Sequence, residues 1–129
     1  MALDVGSELS PVVVELTQDK INRYALAGGD GNPLHTDPEF AAGTQFGGTI
    51  AHGMLILAYL SEMMTAAFGR AWLSGGRLKV RFKAPARPGD TVSAVGRVVR
   101  AGGGRTVCEV ECRNQRDEVL VSGQAEVSA

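Results

Sequence analysis

The sequence predicts an α+β domain in which an antiparallel sheet wraps around one long apolar helix. Three observations carry that expectation. From Thr49 to Phe68 the residues are apolar on nearly every side of a helix, the pattern of a helix buried on most faces. Beyond it the chain changes to strand-like alternation, with Leu78, Val80 and Phe82 set between Arg77, Lys79, Arg81 and Lys83. Glycine and proline then divide the remainder into short strands joined by turns.

The elements follow in order. Val12 to Leu16 is a strand candidate. Thr17 stands where an N-cap is needed, with Asp19 in the first helical turn. Lys20 to Ala27 puts Ile21, Tyr24 and Ala25 on one face, and Gly28 and Gly29 stop the helix. The run GGDGNPLH reads as loop. Asp37 and Pro38 read as the cap and first residue of a short helix reaching Ala42. After a loop from Gly43 to Gly48 comes the long helix, which carries Ile50, Met54, Leu55, Ile56, Leu57, Leu60, Met63, Met64 and Phe68. Gly69 ends it, and Trp72 falls in the loop beyond. Arg77 to Lys83 is a half-buried strand. Pro85, Pro88 and Gly89-Asp90 turn the chain into a strand from Thr91 to Arg100. Gly102 to Gly104 makes a hairpin into Arg105 to Asn114, and Glu118 to Val127 is the last strand. One strand ahead of a buried helix and a meander behind it describe the hot-dog architecture.

Composition narrows the function. The 129 residues fit one domain, spanning 1–129, and 44% of them are hydrophobic, enough for a small core. Such a short chain leaves much surface uncovered, so oligomerisation is expected. The net charge of -1 asks for neither nucleic acid nor an anionic membrane. The start, MALDVGSELS, shows no basic segment and no apolar stretch of a signal peptide. His52 and Gly53 interrupt the most apolar stretch, which is too short to span a bilayer. A cytoplasmic protein is expected. Cys108 and Cys112 lie roughly 13 Å apart on one strand, too far for a disulfide, and without nearby histidines they make no zinc site.

The chemistry concentrates in YALAGGDGNPLHTDPEFA. Asp30 and His35 flank Gly31-Asn32-Pro33, where glycine permits unusual backbone and proline fixes φ. A loop of this kind can turn a carboxylate and an imidazole toward one point. Their ordinary pKa values, about 3.9 and about 6.5, suit a pair that moves protons near neutral pH. Asn32 can hold the loop by bonding nearby backbone. The residues alone also allow Asp30 as a plain turn residue and His35 as a cap or surface group. A metal site from Asp30, His35, Asp37 and His52 has no recognised ligand spacing, so no metal is expected.

The segment resembles the signature of the MaoC-like dehydratases and R-specific enoyl-CoA hydratases. The matching residues are Tyr24, Gly28-Gly29-Asp30, Asn32-Pro33-Leu34-His35, Asp37-Pro38, Phe40-Ala41 and Ile50-Ala51-His52-Gly53-Met54. A second match is Arg81-Phe82-Lys83, Pro85 and Pro88-Gly89-Asp90. The resemblance runs from about Val13 to the end. It implies a hot-dog fold and reversible addition of water to a short- to medium-chain 2-enoyl thioester, giving the (R)-3-hydroxyacyl thioester. It places the family's acid/base pair on Asp30 and His35, which would hold one water beside C3. Gly53, at the helix start, would offer its N–H to the thioester oxygen, with Asn32 and His52 as further oxyanion or substrate-binding candidates. For His52 the residues favour a structural role, bonding loop backbone, over contact with substrate.

The same resemblance implies no cofactor. It implies an acyl-CoA or acyl-carrier-protein thioester as substrate, and a homodimer or dimer of dimers with sheets joined edge to edge. The cationic face from Arg77 to Lys83 is open to a CoA-phosphate contact or to plain solvation. Trp72 is open to walling the acyl pocket or to packing at a dimer edge. The rival functions are a hot-dog thioesterase and a non-catalytic subunit that pairs with an active partner.

Overall fold

Turn chemistry and apolar periodicity build five strands and five helices among residues 3–128, the part that the computed structural model describes. They are β1 (Val12–Glu15), α1 (Gln18–Gly28), α2 (Pro33–Thr36), α3 (Pro38–Ala42), α4 (Gly53–Phe68), α5 (Arg70–Gly75), β2 (Arg77–Phe82), β3 (Thr91–Gly102), β4 (Arg105–Arg113) and β5 (Val119–Val127). The strands form one antiparallel sheet in the order β1-β3-β4-β5-β2. α4 lies against it, burying Leu55, Ile56, Leu60, Met63 and Met64. Each such side chain contributes about 1.5–3 kcal/mol when removed from water. They meet Val92, Ala94 and Val98 of β3, Cys108, Val110 and Cys112 of β4, and Val121, Ala125 and Val127 of β5. This is the α+β hot-dog arrangement that the pattern implied.

The helix ends follow their local chemistry. Thr17 accepts from the Lys20 N–H at 3.1 Å and caps α1. Gly29 ends α1 at φ 70°, a left-handed conformation that glycine adopts without steric cost. Asp37 accepts from the Glu39 and Phe40 N–H groups and caps α3, with Pro38 in the first turn.

Four expectations need correction. The long helix starts at Gly53 rather than Thr49. Residues 49–52 are extended because their backbone is engaged elsewhere: Ile50 donates to Leu34 and Ala51 to Ala86. The strands after α4 are not a four-strand meander. β3, β4 and β5 are consecutive neighbours, but β2 pairs with β5, from Arg77↔Glu126 to Phe82↔Val121. The prolines from Pro85 to Pro88 are thus a crossover between the sheet's edge and β3, not a hairpin turn. The loop GGDGNPLH contains a helical turn, α2, capped by Asn32. Finally, Trp72 lies on α5 instead of a loop. It is buried, and its Nε1–H donates to Ser61 Oγ at 2.9 Å, so it packs between α5 and α4.

Candidate active site

The site is assembled where three pieces of chain meet: the end of α1, the one-turn helix α2, and the extended residues 49–52 that lead into α4. Gly29 releases the chain from α1, and the Asp30 N–H closes back on Ala25 O at 3.0 Å. Asp30 Oδ1 then accepts from the Asn32 N–H at 3.2 Å, an Asx turn. Asn32 Oδ1 accepts in turn from the Leu34 N–H at 3.0 Å and starts α2, with Pro33 as its first residue. Ordinary turn chemistry therefore aims both Asp30 and His35.

The imidazole of His35 is held at 2.8 Å between Nδ1 and the carbonyl of Ile50. A carbonyl only accepts, so Nδ1 carries the proton and Nε2 keeps its lone pair. His52 makes the mirror arrangement. Its Nε2 lies 3.0 Å from the carbonyl of Asp30 and must carry the proton there. The two rings stack at 3.8 Å with planes 27° apart, and Tyr24 covers His52 at 4.8 Å.

One donor atom from each of Asp30, His35 and His52 falls within 4.8 Å of the others. The sequence's metal suggestion also named Asp37, which serves instead as the α3 cap. The remaining three have the donor types of a metal site, but each imidazole already spends one ring nitrogen on a backbone carbonyl. A carboxylate and an imidazole this close can share one bridging water.

The exposures differ by role. Asp30 is exposed and His35 half-buried, whereas His52 is 2% exposed beneath the loop. His52 bonds the Asp30 carbonyl there, as the structural reading of this histidine expected. Asn32 is likewise engaged as the α2 cap. Gly53 is the first residue of α4, and His52 gives the helix no side-chain cap. Among the described residues, the N–H groups of Gly53 and Met54 have no acceptor, so the helix start presents free donors and its positive end. A Cβ at Gly53 would come within 3.0 Å of the Phe82 ring. Phe82, 55% exposed, borders this helix start; the sequence had marked it as a strand residue and as part of the second family match, with no role at the site. The Arg77 to Lys83 cations are exposed, and among the described residues none makes an ion pair.

A loop that brings a carboxylate and an imidazole beside the free start of the central helix, on a hot-dog sheet, frames the comparison with known proteins. The chain belongs to the MaoC like domain family, whose pattern it matches over residues 5–120. It is 41% identical over 90 residues to 3-hydroxyacyl-thioester dehydratase Z of Mycobacterium tuberculosis, covering 67% of this chain and 60% of that protein. It is 32% identical over 111 residues to the (R)-specific enoyl-CoA hydratase of Aeromonas caviae, covering 84% of this chain and 82% of the relative. The solved (R)-hydratase of A. caviae involved in PHA biosynthesis superposes with a TM-score of 0.87 at 28% identity, covering 98% of this chain and 97% of that one. The unliganded R-hydratase of Pseudomonas aeruginosa gives 0.87 at 30% identity, covering 98% and 82%. Among the described residues no helix is long and apolar enough to cross a membrane.

Proposed function

We propose that this protein is a hydro-lyase that reversibly hydrates a short- to medium-chain 2-enoyl thioester to the (R)-3-hydroxyacyl thioester. The observation that carries the reading is the Asp30–His35 pair, with donor atoms within 4.8 Å and an imidazole whose Nε2 is left free by the Nδ1 bond to Ile50. One water between them is activated by loss of a proton to the pair, and its oxygen bonds to C3. The proton goes to C2 on the same face. Negative charge that builds on the thioester oxygen is met by the N–H of Gly53, in the position where preorganised donors act most strongly. The reaction needs no redox step and no cofactor. The similarity to a 3-hydroxyacyl-thioester dehydratase and an (R)-specific enoyl-CoA hydratase supports both the reaction and its stereochemistry.

The substrate's carrier is CoA or an acyl carrier protein, the active unit is a homodimer, and the compartment is the cytoplasm. Incubation with crotonyl-CoA tests the reading. Loss of enoyl absorbance, with (R)-3-hydroxybutyryl-CoA as product, is expected. Release of free thiol instead would identify a thioesterase, and neither signal would point to a non-catalytic subunit.

A further inference from the structure

His35 sits on a helix of a single turn, which cannot hold its own shape in water. Its position must come from tertiary bonds. The ring is tied to Ile50 O, and the Leu34 carbonyl accepts from the Ile50 N–H at 3.3 Å. The last tie comes from a different element. Gln18, the first residue of α1, donates through Nε2 to the His35 carbonyl at 2.7 Å. Its Oε1 accepts from the hydroxyl of Thr49 at 2.7 Å, and Nε2 also donates to Asn22 Oδ1 at 3.0 Å. The amide orientation is fixed, because the His35 carbonyl accepts only from the nitrogen side. Thr49 is buried and begins the same extended segment whose next residue holds the imidazole.

We propose that Gln18 is a positioning residue for His35, with Thr49 locking the Gln18 amide in place. The Gln18 bridge clamps the backbone of His35 to residue 49 while residue 50 clamps its ring, so the imidazole is held from two sides near the Asp30 carboxylate. A one-turn helix tied only to Ile50 could otherwise rock about that residue. The proposal rests on the hydration reading above, and its test separates the two.

Four variants decide it: Gln18→Met removes both limbs of the bridge, and Gln18→Glu keeps an acceptor for Thr49 but loses the donor to His35. Thr49→Val removes the hydroxyl, and Thr49→Ser retains it. With crotonyl-CoA, kcat should fall about tenfold to a hundredfold in the first three, since small misplacement of a reacting group costs that much. KM should stay within about twofold, and Thr49→Ser should match wild type. The Gln18→Met/Thr49→Val double variant should be no worse than the weaker single one, because both cut one bridge. A second readout is the nitrogen NMR of the His35 ring, which should change from one Nδ1–H tautomer to a mixture in Gln18→Met. Losses that follow the unfolded fraction, equal damage from Thr49→Ser and Thr49→Val, multiplying losses in the double variant, or an unchanged His35 spectrum would each overturn the proposal. If wild-type protein turns over no crotonyl-CoA, the hydration reading fails, and the His35 spectrum alone decides whether Gln18 positions the ring.

Discussion

Asp30→Asn and His35→Ala are each expected to lower hydration roughly 100- to 10,000-fold, the usual worth of a positioned acid or base. On the proposed mechanism both groups serve one water, so the double variant should lose little more than either single one. Near wild-type turnover in either, with circular dichroism unchanged, would remove the assignment. Gly53 makes a separate prediction. A side chain there meets the Phe82 ring first, so Gly53→Val mixes two effects, displacement of Phe82 and obstruction of the thioester oxygen. Measuring Gly53→Val in a Phe82→Ala background separates them. If the helix start holds the oxyanion, the loss relative to Phe82→Ala alone should persist at unchanged stability; full recovery would reduce Gly53 to a packing residue. At this scale the sequence revealed much of the candidate site. Turn and cap chemistry marked the loop that holds Asp30, Asn32 and His35, but the residues alone left Asp30 open as a turn residue and His35 as a cap; the family resemblance singled out that pair and Gly53. Gln18 and Thr49 did not stand out. They act through bonds across 17 and 31 positions, and neither residue type is unusual at a helix start. The stacking of His52 on His35 was hidden for the same reason.

Elements were legible where the signal is local. The caps at Thr17 and Asp37, the stop at Gly29 and the glycine hairpin between β3 and β4 all lie where side-chain chemistry requires them. The start of α4 was not legible, because Ile50 and Ala51 continue the apolar pattern while their N–H groups bond Leu34 and Ala86. Strand order was hidden too: a proline-rich turn reads the same whether it closes a hairpin or crosses to another strand. The β4 element carries its own prediction. Its inward-facing Cys112 donates weakly to Ile56 O at 3.7 Å, and burial, with Glu111 nearby, pushes its thiol up to about 12. Burial also raises Cys108. Neither should be alkylated by iodoacetamide in the folded protein at pH 8, and both should react once it unfolds. The linkage has a definite sign. Between the ordinary thiol range and about 12, the unfolded chain loses the Cys112 proton while the folded one keeps it. Stability should therefore fall as pH rises through that window. Chemical denaturation at a series of alkaline pH values measures this, and substituting Cys112→Ala should flatten the slope.

Across the whole molecule, the surface left by folding points to a second copy. On the helix side, Met54 of α4 is 57% exposed, Leu73 of α5 71% and Phe82 of β2 55%. β2 is an edge strand with one open side, and such an edge readily takes another strand. A partner that paired with β2 would extend the sheet and could cover these side chains. An obligate interface of this kind should bury at least roughly 2,000 Å². The opposite face of β2 works against that pairing, because Arg77, Lys79 and Arg81 form a row of cations without ion pairs among the described residues. Two copies joined at β2 would bring two such rows together, and like charges facing across strands are destabilising. The attraction in this arrangement is apolar and the repulsion is ionic, which fixes the response to salt. Raising ionic strength from about 0.05 to about 0.5 M shortens the screening length several-fold, so the dimer should tighten. An interface built on ion pairs would loosen instead. Sedimentation velocity over a dilution series at both salt concentrations, read beside the crotonyl-CoA assay, tests the arrangement. Specific activity should fall on dilution and fall less at high salt. A monomer with full activity at every dilution would end the dimer proposal, and a dimer that dissociates as salt rises would move the interface away from β2.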